Sequence, residues 1–293
     1  MIKQILKMKN LLLSLAFIGG LSQAQAQLDI PVPSPKASVS QMFGLTDIRL
    51  EYASPAVKGR IIFGELVPYG QVWRTGANSA TEIHFSTDVE LGGKEIKAGK
   101  YALFTIPNEK EWTIILNTNE GQWGSTNYKQ ELDVHRFTVA PKTLGDSYER
   151  LVFLVQAIDD NSAHVLLRWA NTEIAIPVKA NTDKYAQANI AKYSKNYYGN
   201  WYAMMNAAKY QLEKNTYLKE AQKMAEESIR LKEHFTNRWV LAQILAKNGD
   251  TKGAIVQAQA AKDFGTKNPS GWYDDYKAEI EKALSTWQPA KKK

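Results

Sequence analysis

The chain has 293 residues, 37 of them basic and 30 acidic, with a formal net charge of +7 and no cysteine. The absence of thiols excludes disulfides, thiolate metal sites and a cysteine nucleophile, so a packed core must hold the fold. Lys3, Lys7 and Lys9 lie near one end and Lys291, Lys292 and Lys293 at the other, so the body between is nearly neutral and its charge is no argument for nucleic-acid binding.

With 44% hydrophobic and 23% charged residues the composition is globular, and the length suits two domains. Residues 1–26 read as a secretory signal. Lys3, Lys7 and Lys9 form a basic start, Leu11 to Leu21 an apolar run, and Ala24-Gln25-Ala26 a small-x-small cleavage site. The run is too short for a membrane anchor and no second one follows, so the expectation is cleavage after Ala26 and export to the periplasm or beyond.

Residues 27–35 hold three prolines and predict an extended lead-in. Val39 to Met42 and Ile48 to Tyr52 follow as strands; in the second, Ile48, Leu50 and Tyr52 alternate with Arg49 and Glu51. Ala53 to Phe85 then begins and ends as strand, but between those ends it has no period and is rich in Arg, Trp, Phe, Tyr and Gly. So long a loop is functional or disordered as a rule, and this one is too apolar for disorder.

Thr81 to Thr87, Lys100 to Pro107 and Trp112 to Asn117 predict further strands, with Gly92-Gly93 as a hairpin turn. The strands from Lys100 and Trp112 are apolar on both faces, as central strands covered twice would be. Arg136 to Pro141, Arg150 to Ile158, His164 to Trp169 and Thr172 to Val178 complete about nine short strands without helical period. The expected fold for residues 27–180 is an all-β sandwich or jelly roll.

The composition turns to Ala, Lys, Glu and Gln after Ala180. Ala208 and Ala221 recur as Ala242 and Ala254, 34 and 33 residues later, with Gly249-Asp250 as a turn and Ala258 and Ala261 extending the small face. That period predicts an all-α, tetratricopeptide-like array of helical hairpins over residues 181–290, although the usual Gly-Tyr pair is missing and Pro269 comes late. Such arrays dock proteins on a concave face, here with Tyr202, Asn206, Tyr210 and Trp239 as candidate partner contacts.

From Pro33 to about Pro177 the chain resembles the bacterial family known as domain of unknown function 2911. The resemblance rests on SPKASVSQ (Ser34 to Gln41), SPAVKGRIIFGELVPYGQVWRTGAN (Ser54 to Asn78) and AGKYALFTIPNEKEWTIILN (Ala98 to Asn117). It implies an exported domain often followed by helical repeats, and brings no substrate or catalytic residue with it.

No catalytic signature is present, so no catalytic residue is assigned. His84, His135, His164 and His234 lie far apart without metal-ligand spacing, and neither a metal nor a cofactor is expected. The best constellation is basic and aromatic: Lys58, Arg60, Tyr69, Trp73, Arg74, Asn78 and Thr81, with His84 close in sequence. Guanidinium forks suit carboxylates and phosphates, and indole and phenol faces suit sugars or cations.

Three readings stay open. The loop binds a small anionic or sugar-like ligand; or Arg60 and Arg74 clamp an anionic substrate of a periplasmic enzyme, with His84, Glu51 or Glu65 as acid or base; or the arginines only pin the loop through its carbonyls.

Overall fold

Ile48, Leu50 and Tyr52 turn inward and Arg49 and Glu51 outward, as the alternation requires. The computed structural model describes residues 30–196 and 200–288; the segment read as a secretory signal lies outside them. The chain divides into one unit ending at Ala180 and another beginning at Asn181.

Among the described residues of the first unit ten strands form two antiparallel sheets. They are β1 (Lys36–Phe43), β2 (Thr46–Ala53), β3 (Thr81–Phe85), β4 (Val89–Leu91), β5 (Lys94–Ile96), β6 (Gly99–Ile106), β7 (Trp112–Asn117), β8 (Asp133–Val139), β9 (Lys142–Asp159) and β10 (Ser162–Ala180). One sheet runs β1-β2-β3-β6-β7-β8 and the other β5-β4-β10-β9. Ile48, Leu50, Ile83, Phe85, Leu103 and Ile114 of the first sheet share one core with Leu91, Phe153, Val165, Leu167, Ile174 and Ile176 of the second. Each such side chain contributes about 1.5–3 kcal/mol when fully buried, which holds this cysteine-free sandwich together.

The central strands β6 and β7 are covered on both faces. Leu103 and Ile114 face the main core, while Phe104 and Ile115 meet Ala80, Val72 and Tyr128 on the other side. Gly92 and Gly93 make the two-residue β4–β5 turn at φ +51° and +80°. A Cβ on Gly92 would fall 2.3 Å from the Phe137 ring, so only glycine fits.

The expected break between the strands at His164 and Thr172 is instead a bulge inside one strand. At Ala170 φ is +49° and the pairing with β9 slips. Before the slip Ala163, Val165, Leu167 and Trp169 face the core; after it Ile174, Ile176 and Val178 do. The extra residues reverse the phase of alternation and keep both halves facing inward. β9 also starts well before Arg150, because Lys142 and Thr143 pair with Glu173 and Thr172 beyond the bulge.

The described residues of the second unit form six helices: α1 (Thr182–Asn196), α2 (Trp201–Lys214), α3 (Leu218–Leu231), α4 (Phe235–Lys247), α5 (Thr251–Lys267) and α6 (Gly271–Trp287). From α2 onward each packs on the next, and α2 also packs on α4. Ala208, Ala221, Ala242, Ala254, Ala258 and Ala261 are completely buried, letting the backbones approach at the crossings. Asn200, His234, Asp250 and Ser270 cap α2, α4, α5 and α6 by accepting backbone N–H groups. Among the described residues no helix is long and apolar enough to cross a membrane.

Candidate functional site

The long loop leaves β2 and first joins the opposite sheet. Ser54 donates its hydroxyl to the Leu151 carbonyl (2.7 Å), and the Val57 N–H reaches the Glu149 carbonyl (2.7 Å). Lys58 and Gly59 then turn the chain at φ +48° and +68°. Ile62 and Val67 enter the core, and Phe63 sets its ring edge-on to Trp73, Trp112 and Trp169. Trp73 exchanges both backbone hydrogen bonds with Thr105 of β6 (2.7 and 2.9 Å).

Beneath this loop lies a cavity of about 370 Å³, lined among others by Lys58, Arg60, Trp73, Arg74 and Asn78. Five of the residues singled out in the sequence therefore come together. Trp169 is a sixth lining group that sequence reasoning passed over; it lies far along the chain and is carried in by the β10 bulge. Its indole stacks on Trp73 with centroids 5.9 Å apart and 17° between planes. The only local hint was a tryptophan just where the strand alternation falters, since a buried indole N–H needs a partner.

The two arginines behave differently. Arg60 folds back on its own turn, donating Nε to the Val57 carbonyl (3.0 Å) and Nη2 to that of Ala56 (2.6 Å). Its role is the loop-pinning one. Arg74 Nε is buried with no hydrogen-bond partner, and so is Trp169 Nε1. Burial pulls the Arg74 guanidinium below its ordinary value, the response of a cation taken out of water without a counter-charge.

No carboxylate or histidine lines the cavity. Trp73 Nε1 is already used by the Gly76 carbonyl (3.1 Å), and Asn78 Nδ2 by that of Ser34 (3.3 Å). Glu149 accepts the backbone N–H of Lys58 (3.0 Å). Lys58, Thr75 and Asn78 all hold positive φ, at 48°, 55° and 60°. For non-glycine residues each costs about 1 kcal/mol or more, and such strain gathers where a chain must present groups in a fixed place.

Tyr69, Thr81 and His84 do not line the cavity. Tyr69 sits partly exposed over Gly64, where a Cβ would come 3.0 Å from its ring. Thr81 is fully buried and donates its hydroxyl to the Thr75 carbonyl (2.7 Å). His84 stands opposite Arg49 and Lys100 in the β2–β3–β6 ladder, because strand alternation turns it and Glu82 away from the core. Neither Glu51 nor Glu65 lines the cavity either, so no acid or base from the expected set stands beside Arg60 and Arg74. Among the described residues no group of three His, Asp or Glu side chains is placed to hold a metal ion.

In the helical unit Tyr202, Asn206 and Trp239 line a groove of about 140 Å³ together with Lys209, Gln243 and Trp272. Its walls come from α2, α4 and α6. Trp239 is mainly a core residue, stacked on Trp287 at 6.0 Å. Tyr210 does not line the groove; its hydroxyl donates to Asp183 of α1 (3.3 Å).

Residues 34–178 match the model of the family described as protein of unknown function (DUF2911). No curated protein and no solved structure matches the chain.

Proposed function

We propose that this chain, whose β-domain belongs to that family of unknown function, is an exported binding protein that takes a small organic anion into the cavity beneath its long loop. One observation carries the reading. Arg74 and Trp169, each with a buried side-chain nitrogen that lacks a partner, line one cavity that has cations and no carboxylate in its lining. A buried unpaired donor costs about 1–3 kcal/mol, more when charged, and an anion removes that penalty. Leu66, Val67 and the Trp73–Trp169 stack supply the apolar wall for the rest of an organic molecule. Binding without chemistry fits a lining that offers no carboxylate or imidazole as general acid or base.

The basic, apolar and small-residue order of residues 1–26 supports export, with a processed chain starting at Gln27. Intact-mass analysis of the protein from its own cells checks this; an unprocessed chain retained in the cytoplasm would refute it. The helical unit is read as a tetratricopeptide-like array, supported by its hairpin packing and its buried alanines at matching positions. Its groove at Tyr202 and Asn206 would then dock a protein partner.

The test of the binding reading is native mass spectrometry of the protein purified from its own envelope, beside Arg74→Met and Arg60→Met. The expected result is a small adduct on wild type that Arg74→Met loses while remaining folded. Clean spectra for wild type, together with no response to a panel of carboxylates and phosphates in calorimetry, would refute the reading.

A further inference from the structure

The six-stranded sheet carries a second concavity, of about 560 Å³, within the range of ligand sites at about 300–1,000 Å³. Its floor includes Arg49 and Glu51 of β2 and Glu82 of β3, and Lys36 and Trp123 lie at its border. Ala77 and Asn78 border this groove and the anion cavity alike, but the two linings differ in kind.

Trp123 is 70% exposed, the most exposed of the large hydrophobic side chains among the described residues. It is not loose. The residue bridges Ser79, the Ala80 N–H donates to the Gln122 carbonyl (2.9 Å), and the Gly124 N–H donates to the Asn78 carbonyl (2.9 Å). Backbone hydrogen bonds on both sides hold an indole out in water beside a polar groove. The indole thereby offers a flat apolar face beside the groove, on which an occupant can stack.

The groove floor is charged but balanced. Glu51 and Glu82 face each other directly in the β2–β3 register, an arrangement of like charges that disfavours strand pairing. Each is steadied by a cation: Arg49 on Glu51 at 2.9 Å and Lys100 on Glu82 at 3.2 Å. The charged residues of the lining are two carboxylates, Glu51 and Glu82, and two cations, Lys36 and Arg49, so it carries no net charge. An anion would meet Glu51 and Glu82, and a hydrocarbon would cover charges without pairing them. A sugar does neither, because each hydroxyl both donates and accepts, and the C–H face of the ring stacks on an indole.

We propose that this groove is a saccharide-binding site for a neutral oligosaccharide, with Trp123 as the stacking platform and Glu51 and Glu82 accepting hydrogen bonds from ring hydroxyls. The site shares a border with the anion cavity at Ala77 and Asn78 but does not depend on it.

The experiment is to probe a printed array of plant, fungal and bacterial glycans with the purified full chain, then titrate the retained oligosaccharides calorimetrically against wild type, Trp123→Ala, Glu82→Gln and Arg74→Met. Retention of a neutral glycan is expected. Trp123→Ala should weaken it about tenfold, the usual scale for truncating a central aromatic contact, with an unchanged melting temperature because the side chain is exposed. Glu82→Gln should weaken it less, and Arg74→Met should bind as wild type does. An array on which wild type retains no neutral glycan overturns the proposal, as does binding unaffected by Trp123→Ala. Equal loss in Arg74→Met would also overturn it, since one site would then serve both.

Discussion

The helical unit and the long loop of the β-domain treat polar groups in opposite ways. In the helical unit Asn237, fully buried, donates to Ser228 Oγ (3.0 Å) and to the Lys232 carbonyl (2.8 Å) while accepting the His234 N–H (3.0 Å). Ser228 in turn donates to the Trp201 carbonyl (2.7 Å), so one network ties α2, α3 and α4. Among its described residues the buried side-chain atoms left without a partner are neutral oxygens, on Gln211 and Thr216. The loop instead buries the Nε of Arg74, and the neighbouring β10 the indole N–H of Trp169, without partners, and both residues line one cavity. A saturated network stabilises, whereas unsatisfied donors persist only where rigid surroundings hold them for something else.

The largest effect should come from the residue that makes the loop rigid. Trp73→Ala removes a ring packed on Phe63, Trp112 and Trp169 and opens the end of the core. A loss of about 3–5 kcal/mol is expected in urea unfolding of the full chain. A loss under about 1 kcal/mol would mean that the loop is not packed as described. Asn237→Leu comes next in the saturated region. It strands the His234 N–H and takes a donor from the Lys232 carbonyl, and about 2–3 kcal/mol should be lost from the transition followed by far-ultraviolet circular dichroism.

The arginine pair tests the contrast most directly. Arg60→Met deprives the Ala56 and Val57 carbonyls of a donor and should cost about 1 kcal/mol. Arg74→Met replaces a half-buried cation that has no counter-charge with an apolar chain of similar length and should leave the apo protein as stable or raise its melting temperature. If Arg74→Met destabilised more than Arg60→Met, Arg74 would be a structural residue and the anion reading would fall.

Much of this could be read from residue order, and the reasons for the rest are physical. Alternation in Ile48-Arg49-Leu50-Glu51-Tyr52 and the recurrence of buried alanines report local periods, which a sequence carries directly. The gathering of Lys58, Arg60, Trp73, Arg74 and Asn78 was also legible, since they share one loop. The different roles of Arg60 and Arg74 were not. They follow from a left-handed turn at Lys58 that folds Arg60 onto Val57. Trp169 and the Glu51–Glu82 pair depend on a bulge and on strand register, both products of tertiary pairing. Tyr69 and Thr81 mislead for the converse reason: nearness in sequence does not keep side chains together when the chain turns between them.

The smallest expected effect is the acid response of the saturated region, and it falls on the His234 cap. Its Nδ1 faces the Thr236 N–H (3.3 Å), and the ring lies among Trp201, Phe235, Phe264 and Trp272. Burial first, and then the charge of Lys232, lowers its pKa from the ordinary 6.5. Below about 6.5 the unfolded chain takes up a proton that the folded one resists, so stability is full above that value and declines as pH falls through the folded pKa. Glu227 and Glu281, depressed by Arg230 and Lys262, lose their contribution only at pH below the ordinary carboxylate range, which separates them from this window. His234→Asn keeps an oxygen able to cap α4 but removes the titration. Between about pH 7.5 and 5.5 the urea midpoint of wild type should fall more than that of the variant. Parallel slopes would place the acid sensitivity elsewhere, and the helical unit would then lack the pH-dependent joint that its capping network implies.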